Sequence, residues 1–316
     1  MTTSIKTALI IGCGGTFGSA VAKELQTQGW IIKALMRNPT KKPDWLENNQ
    51  IIQGDCQVDE DLSAAIDKFE NGVDLIVYGA NPKYTQWHQK CLKMLEPTIK
   101  IAEQQKLHIL FPGNVYGYNP IKTPLINERS NLEPVTDKGQ IRNQMELRLK
   151  QACENGATVT LVRCGDFIAQ NSESSAFNIL LKKTKKGWSI ANPSPKNHRH
   201  TFAWLPDVAI NAVALVKADK NKQTFNSYHL AGLQVSHVQI KQTLETLGFN
   251  VKESKFPWWM LKIMAVFIPM LKEICKMSYL WRQELLMDES KMQKVLAGEV
   301  KNSSLLEVMK KMTTSD

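Results

Sequence analysis

This 316-residue sequence lacks long uninterrupted apolar runs, closely spaced cysteine pairs and any extended block of one charge. Its most apolar stretch, residues 256–271, is broken by Lys262 and Pro269 and falls short of the roughly 20 residues a helix needs to cross a bilayer. We expect that stretch to be a buried helix or a lid over a substrate pocket, with a dimer contact next and interfacial membrane binding last among the alternatives, and expect no membrane insertion. The six cysteines (Cys13, Cys56, Cys91, Cys153, Cys164 and Cys275) include no Cys-x-x-Cys and no metal-ligand spacing. That excludes a zinc-finger or disulfide scaffold and points to reduced, mostly buried thiols, with no metal site. No basic-then-apolar leader precedes the first apolar run, so a cytoplasmic protein without a signal peptide is expected. No internal repeat is visible. The formal charge of +10 would draw anions. Its densest basic run, Lys182-Lys183-Thr184-Lys185-Lys186, carries no aromatic interleaving or recognition motif, so it reads as a solvated helix end or loop and no nucleic-acid partner is expected.

What the sequence does contain begins at residue 7. The β-prone run Thr7-Ala8-Leu9-Ile10-Ile11 leads into Gly12-Cys13-Gly14-Gly15-Thr16-Phe17-Gly18 and then a segment with Phe17, Val21 and Leu25 on one stripe. A strand that turns at once into a helix aims the free N–H groups of the first helical turn, and the positive end of the helix dipole, at the turn. Gly12, Gly15 and Gly18, with Thr16 and Phe17 between them, are therefore candidates for holding the pyrophosphate of a dinucleotide.

Strand-like and helix-like segments then alternate. Strands are expected at 30–36, 51–54, 75–78, 108–111 and 158–163. Helices are expected at 59–69, at 86–105 with a break or kink near Pro97, and at 138–155. That rhythm predicts an α/β fold, a Rossmann doubly wound parallel sheet, with a smaller helix-rich C-terminal substrate lobe. Residues 1–167, with a contribution from 201–222, would form the dinucleotide-binding domain. Residues 168–200, read as irregular and polar, and 223–316 would form the lobe. A helix is expected over 203–217 and a short strand over 228–231.

A dinucleotide fold that holds the ribose diol of NAD carries an acid about 20 residues past its glycines. None stands there. The second strand ends in Met36-Arg37-Asn38, with Lys41 and Lys42 following. A guanidinium can clamp a 2′-phosphate in a bidentate fork, so Arg37 favours NADP, with NAD as the alternative and an exposed, ligand-free arginine as the bland reading. Asp55, after the third strand, could accept from the adenine amino group or cap the following helix.

Together with the glycine turn, Gly54-Asp55, Tyr78-Gly79-Ala80, Val115-Tyr116-Gly117 and Leu205-Pro206-Asp207-Val208-Ala209 make the sequence resemble, over nearly its whole length, the extended short-chain dehydrogenase/reductases, the NAD(P)-dependent epimerase/dehydratase group. The resemblance implies cofactor contacts at Gly79 and Ala80, and at Asp166 after the sixth strand, where a loop-capping role is the alternative. It also implies a serine on the fifth strand's end and a Tyr-x-x-x-Lys on the next helix. Here those positions read Phe111-Pro112-Gly113-Asn114, without a hydroxyl, and Lys138-Gly139-Gln140-Ile141-Arg142. The sequence thus looks like an atypical branch. Lys138 could be the proton donor, or could position the ribose or a cofactor phosphate. Asn114 and Tyr116 are the other candidates for chemistry, and His200, with His198 near it, for substrate contact. Three functions stay open: an NAD(P)-dependent oxidoreductase or epimerase/reductase acting on a small carbonyl or sugar-like substrate, a non-catalytic NADP-binding redox sensor or regulator, or a structural or assembly protein with an empty site. A homodimer through 86–105 and 138–155 is the expected assembly.

Overall fold

The first strand, β1 (Thr7–Ile11), is buried along its whole length, which is why it reads as a continuous apolar run and not as an alternation. Leu9 and Ile11 face one helical layer, Ala8 and Ile10 the other. The computed structural model describes residues 6–170, 175–194, 197–218 and 225–314. After β1 come α1 (Thr16–Thr27), β2 (Ile31–Met36), β3 (Ile51–Gln53), α2 (Asp59–Ile66), β4 (Leu75–Tyr78) and α3 (Trp87–Gln105). They are followed by β5 (His108–Gly113), β6 (Leu125–Ile126), α4 (Asp137–Glu154), β7 (Thr158–Arg163), β8 (Asp166–Ile168), α5 (Phe177–Leu180), β9 (Leu181–Thr184) and β10 (Gly187–Asn192). Next are β11 (His200–Trp204), α6 (Leu205–Ala218), β12 (Phe225–His229), β13 (Leu233–Val235), α7 (His237–Thr246) and β14 (Val251–Lys255). The chain ends with α8 (Trp258–Met264), α9 (Pro269–Lys276), α10 (Tyr279–Arg282), β15 (Leu286–Met287), α11 (Ser290–Val295) and α12 (Leu305–Thr313).

Seven parallel strands form the main sheet in the order β12-β7-β5-β4-β1-β2-β3. Leu62 of α2, Leu95 of α3 and Met145 of α4 pack on one face, and Val21 of α1, Val213 of α6 and Met292 of α11 on the other. The chain winds outward from β1 through β2 and β3, then crosses back to β4 on the opposite side. Such a reversal opens a crevice at the carboxyl ends of the strands between β1 and β4. A separate core, with Ile190, Phe202, Ile240 and Val308 at its centre, holds the smaller lobe, where the sheets β14-β10-β9 and β13-β11-β8 lie.

Several expectations need correcting. The segment 168–200 is not irregular: β9 and β10 form an antiparallel hairpin, with Gly187 opposite Thr184, and β10 also pairs in parallel with β14. Lys182 and Lys183 therefore sit exposed on a strand and not on a helix end. The helix expected from 203 starts at Leu205, because β11 continues through Trp204. α3 runs unbroken through a buried Pro97. β12 begins at Phe225 and pairs with β7, so residues 225–229 belong to the main sheet and not to the lobe. The boundary placed between 222 and 223 lies outside the described residues. The largest departure concerns 256–271: neither α8 nor α9 buries a residue, and no residue of that stretch lines the cavity described below. Both faces of the main sheet already carry their helices, which leaves this hairpin no core to enter.

Candidate active site

The turn between β1 and α1 is shaped by contact between two backbone segments. Gly12 sits at φ +82°, and a Cβ there would lie 2.5 Å from the carbonyl carbon of Gly79, at the end of the neighbouring β4. The amide of Gly79 donates to the carbonyl of Ile11 at 2.7 Å, and that of Gly15 to Gly12 at 2.9 Å. Gly18 serves packing: a Cβ on it would meet the Gly12 carbonyl oxygen at 2.4 Å. Gly14 differs, because a Cβ there meets nothing within 4 Å and the residue opens onto the cavity. The N-cap of α1, Gly15, contributes no side-chain hydrogen bond, so the first-turn amides keep their donor capacity for an anion. An uncapped helix start beside an open glycine cradle fits a diphosphate.

A cavity of about 1080 Å³ runs along the carboxyl ends of the strands from this turn. Gly12, Gly15, Thr16, Phe17, Arg37, Gly79, Ala80, Asn114, Tyr116 and Asp166 all line it. Gly18, Asp55 and Lys138 do not. At one end, after β2, the exposed Arg37 and Lys41 stand on the wall, and neither forms an ion pair among the described residues. Asp55 is spent locally: its carboxylate accepts from the amide of Gln57 at 3.0 Å, while Gly54 and Cys56 on either side reach the cavity. The sequence allowed Asp55 an adenine contact or a capping role. The structure places it in a turn before α2.

The other end is buried and polar. Arg142, where the family's lysine is expected, lines the cavity, donates from Nη2 to the carbonyl of Pro112 and lies 4.7 Å from the ring centre of Phe111. Its Nε is buried and has no hydrogen-bond partner among the described residues. Burial pushes its pKa down, while the Glu146 carboxylate draws it up. Glu146 itself is held by both terminal nitrogens of the buried Arg163, at 2.9 and 2.6 Å. Lys138, where the family's tyrosine is expected, is also buried. It forms an ion pair with Glu273 of α9 and sits 5.3 Å from the ring centre of Tyr84. It ties α4 to α9 and is not among the residues lining the cavity.

Asn114 accepts from the amide of Tyr116 through Oδ1 at 3.1 Å, which leaves its amide N–H as the group able to donate. The Tyr116 hydroxyl lies 2.7 Å from that of Tyr84. Burial raises both phenols, with Tyr84 reaching about 12 and Tyr116 well above its usual value, so both stay protonated and able to donate a hydrogen bond. Asp166 Oδ2 meets His200 Nε2 at 2.8 Å, and the His200 ring stacks on Trp281 at 3.7 Å, nearly parallel. His200 thus holds Asp166, and neither His200 nor His198 lines the cavity. Sequence reasoning missed Tyr84 and Trp281, which arrive from the turn after β4 and from α10, with no local motif to announce them. The far wall is apolar: Ala176, Ile179, Ile274, Met277 and Leu280.

No family model matches this sequence, and no curated protein matches it. Solved structures do match. L-threonine dehydrogenase from Phytophthora infestans superimposes with a TM-score of 0.73 at 13% identity, covering 97% of each chain. UDP-glucose 4-epimerase from Thermus thermophilus, solved with NAD, gives 0.71 at 12% identity, covering 98% of this chain and all of that one. A short-chain dehydrogenase/reductase superfamily protein from Agrobacterium tumefaciens with bound NAD gives 0.72 at 13% identity, covering 98% and 96%. The fold is the one these solved structures share, a Rossmann-type parallel sheet with a smaller lobe. The positions where the resemblance implies a serine and a Tyr-x-x-x-Lys hold Phe111-Pro112-Gly113-Asn114, Lys138 and Arg142.

Among the described residues, no helix is long and apolar enough to cross a membrane, and no cluster of His, Cys, Asp or Glu could hold a metal.

Proposed function

We propose that this chain is an NADP(H)-dependent oxidoreductase acting on a carbonyl, or the matching secondary alcohol, carried by an apolar body. The observation that carries the reading is the single cavity joining the open Gly14 cradle, the Arg37 and Lys41 cations and the buried polar end. A bound nicotinamide would supply or accept hydride at the carbonyl carbon. The protein's part is to hold and protonate. The Tyr84–Tyr116 hydroxyl pair is the proton source for a developing alkoxide, a role that needs a positioned acid. The unpartnered Nε of Arg142 and the amide of Asn114 can donate to the same oxygen. An apolar substrate fits better than a sugar nucleotide, because Arg142 and Asp166 are, among the described residues, the only formally charged side chains lining that end of the cavity. A second reading, a redox sensor that binds NADP without turnover, draws on the placement of Lys138 in an ion pair off the wall.

Loss of NADPH absorbance with a panel of medium-chain ketones and aldehydes separates the two. Turnover is expected, with Tyr84→Phe and Tyr116→Phe each lowering kcat by about 10²–10⁴ while leaving NADPH affinity unchanged. Tight NADPH binding with no turnover on any carbonyl would favour the sensor. Turnover untouched by both substitutions would remove the phenol pair from the chemistry.

A further inference from the structure

The hairpin of α8 and α9 turns its largest apolar side chains outward. Trp259 is 70% exposed, Ile263 59%, Val266 78% and Phe267 81%, with Met260 and Met264 beside them. Single exposed apolar side chains are ordinary on a protein surface, but a contiguous set on one projecting element marks a site of interaction. The hairpin is fixed from its other side. Trp258 Nε1 donates to the Pro193 carbonyl at 2.9 Å, Glu273 holds Lys138, and Ile274 reaches the cavity wall.

Its charge is as one-sided as its polarity. Lys255, Lys262 and Lys272 are exposed, and no Asp or Glu lies between residues 254 and 272. The two flanking carboxylates are already matched, Glu253 with His237 at 3.1 Å and Glu273 with Lys138 and Lys276. Tryptophan and phenylalanine at the tip, with uncompensated lysines on long stems around them, suit the boundary between lipid headgroups and acyl chains, where lysines reach back to phosphates. With seven and eight residues, the two helices could enter only one leaflet.

We infer that the α8–α9 hairpin is a membrane-surface anchor that docks this protein on an anionic lipid bilayer, inserting Trp259, Ile263, Val266 and Phe267 while Lys255, Lys262 and Lys272 meet lipid phosphates. This inference stands apart from the dinucleotide reading. Docking would bring the cavity's apolar wall within one helix of the bilayer, since α9 contributes to both.

Flotation of the full chain with phosphatidylcholine vesicles, with and without phosphatidylserine, tests it. Binding is expected to the mixed vesicles, roughly tenfold or more weaker to phosphatidylcholine alone, and weakened by salt. Trp259→Ser combined with Phe267→Ser should abolish binding to both vesicle types without altering the melting temperature. Replacing Lys255, Lys262 and Lys272 with Glu should remove the preference for the anionic lipid and leave the weak residual binding. Three outcomes would overturn the anchor: no recruitment to either vesicle, recruitment indifferent to the Trp259 and Phe267 changes, or a dimer in sedimentation that the same double variant dissolves.

Discussion

Arg163 organises the buried polar end of the cavity: it clamps Glu146 with two nitrogens and donates to the carbonyl of Asn114. Its guanidinium also lies 5.1 Å from the ring centre of Tyr118, whose ring meets His229 edge-on. Burial first, and the Arg163 charge second, push the His229 pKa down from 6.5 to about 3. In the unfolded chain the imidazole takes a proton near its ordinary value. In the folded chain it resists until about 3, so between these limits the unfolded state binds the extra proton and stability falls as pH falls. The slope is about 1.4 kcal/mol per pH unit. Urea unfolding across this range should show that slope as the difference between the native chain and His229→Gln. Parallel profiles would mean that the imidazole is not buried neutral.

At the residue scale, legibility followed sequence distance. Arg37 stands at a fixed count from the glycines, so spacing alone nominated it. Lys138 was nominated by position in a motif, but its partner Glu273 is 135 residues away and on another helix. Tyr84, Tyr116, His200, Asp166 and Trp281 meet only through tertiary packing, and nothing in the local sequence of any one of them specifies the others.

At the scale of elements, the β1–α1 turn separates packing glycines from a binding glycine. Gly18→Ala would push a methyl group into the Gly12 backbone, and should both destabilise the chain and weaken dinucleotide binding. Gly14→Val has open space in the protein, so unfolding free energy should stay within about 0.5 kcal/mol of the native value while NADPH affinity falls. Calorimetric titration beside a melting curve checks the pair. A Gly14→Val protein that binds NADPH normally would leave the cradle without a diphosphate. The strand and helix alternation of the first half was legible because fully buried parallel strands read as short apolar runs between amphipathic helices. The hairpin of β9 and β10 was not, since its exposed lysines mask the alternation and its pairing with β14 spans some 60 residues, Trp188 opposite Val251. The α8–α9 stretch stayed ambiguous for the opposite reason: apolar composition implies removal from water, but does not say what does the covering.

At the scale of the whole molecule, the order of the seven strands fixes where everything else can act. The reversal at β1 brings the glycine turn, the end of β2 and the ends of β4, β5 and β7 to one rim, and the lobe closes the far wall with α5, α9 and α10. The two cations at the β2 end and the apolar wall at the other are the features on which the proposed pairing of a phosphorylated dinucleotide with an apolar carbonyl substrate rests. Net charge of +10 adds a long-range attraction for the anionic member. Parallel titrations of NADPH and NADH into the native chain and Arg37→Ala test this most directly. NADPH should bind tighter than NADH by roughly 10–100-fold, with Arg37→Ala erasing that margin and leaving NADH affinity in place. NADH binding as tightly as NADPH, or an Arg37→Ala change that weakens both alike, would contradict it.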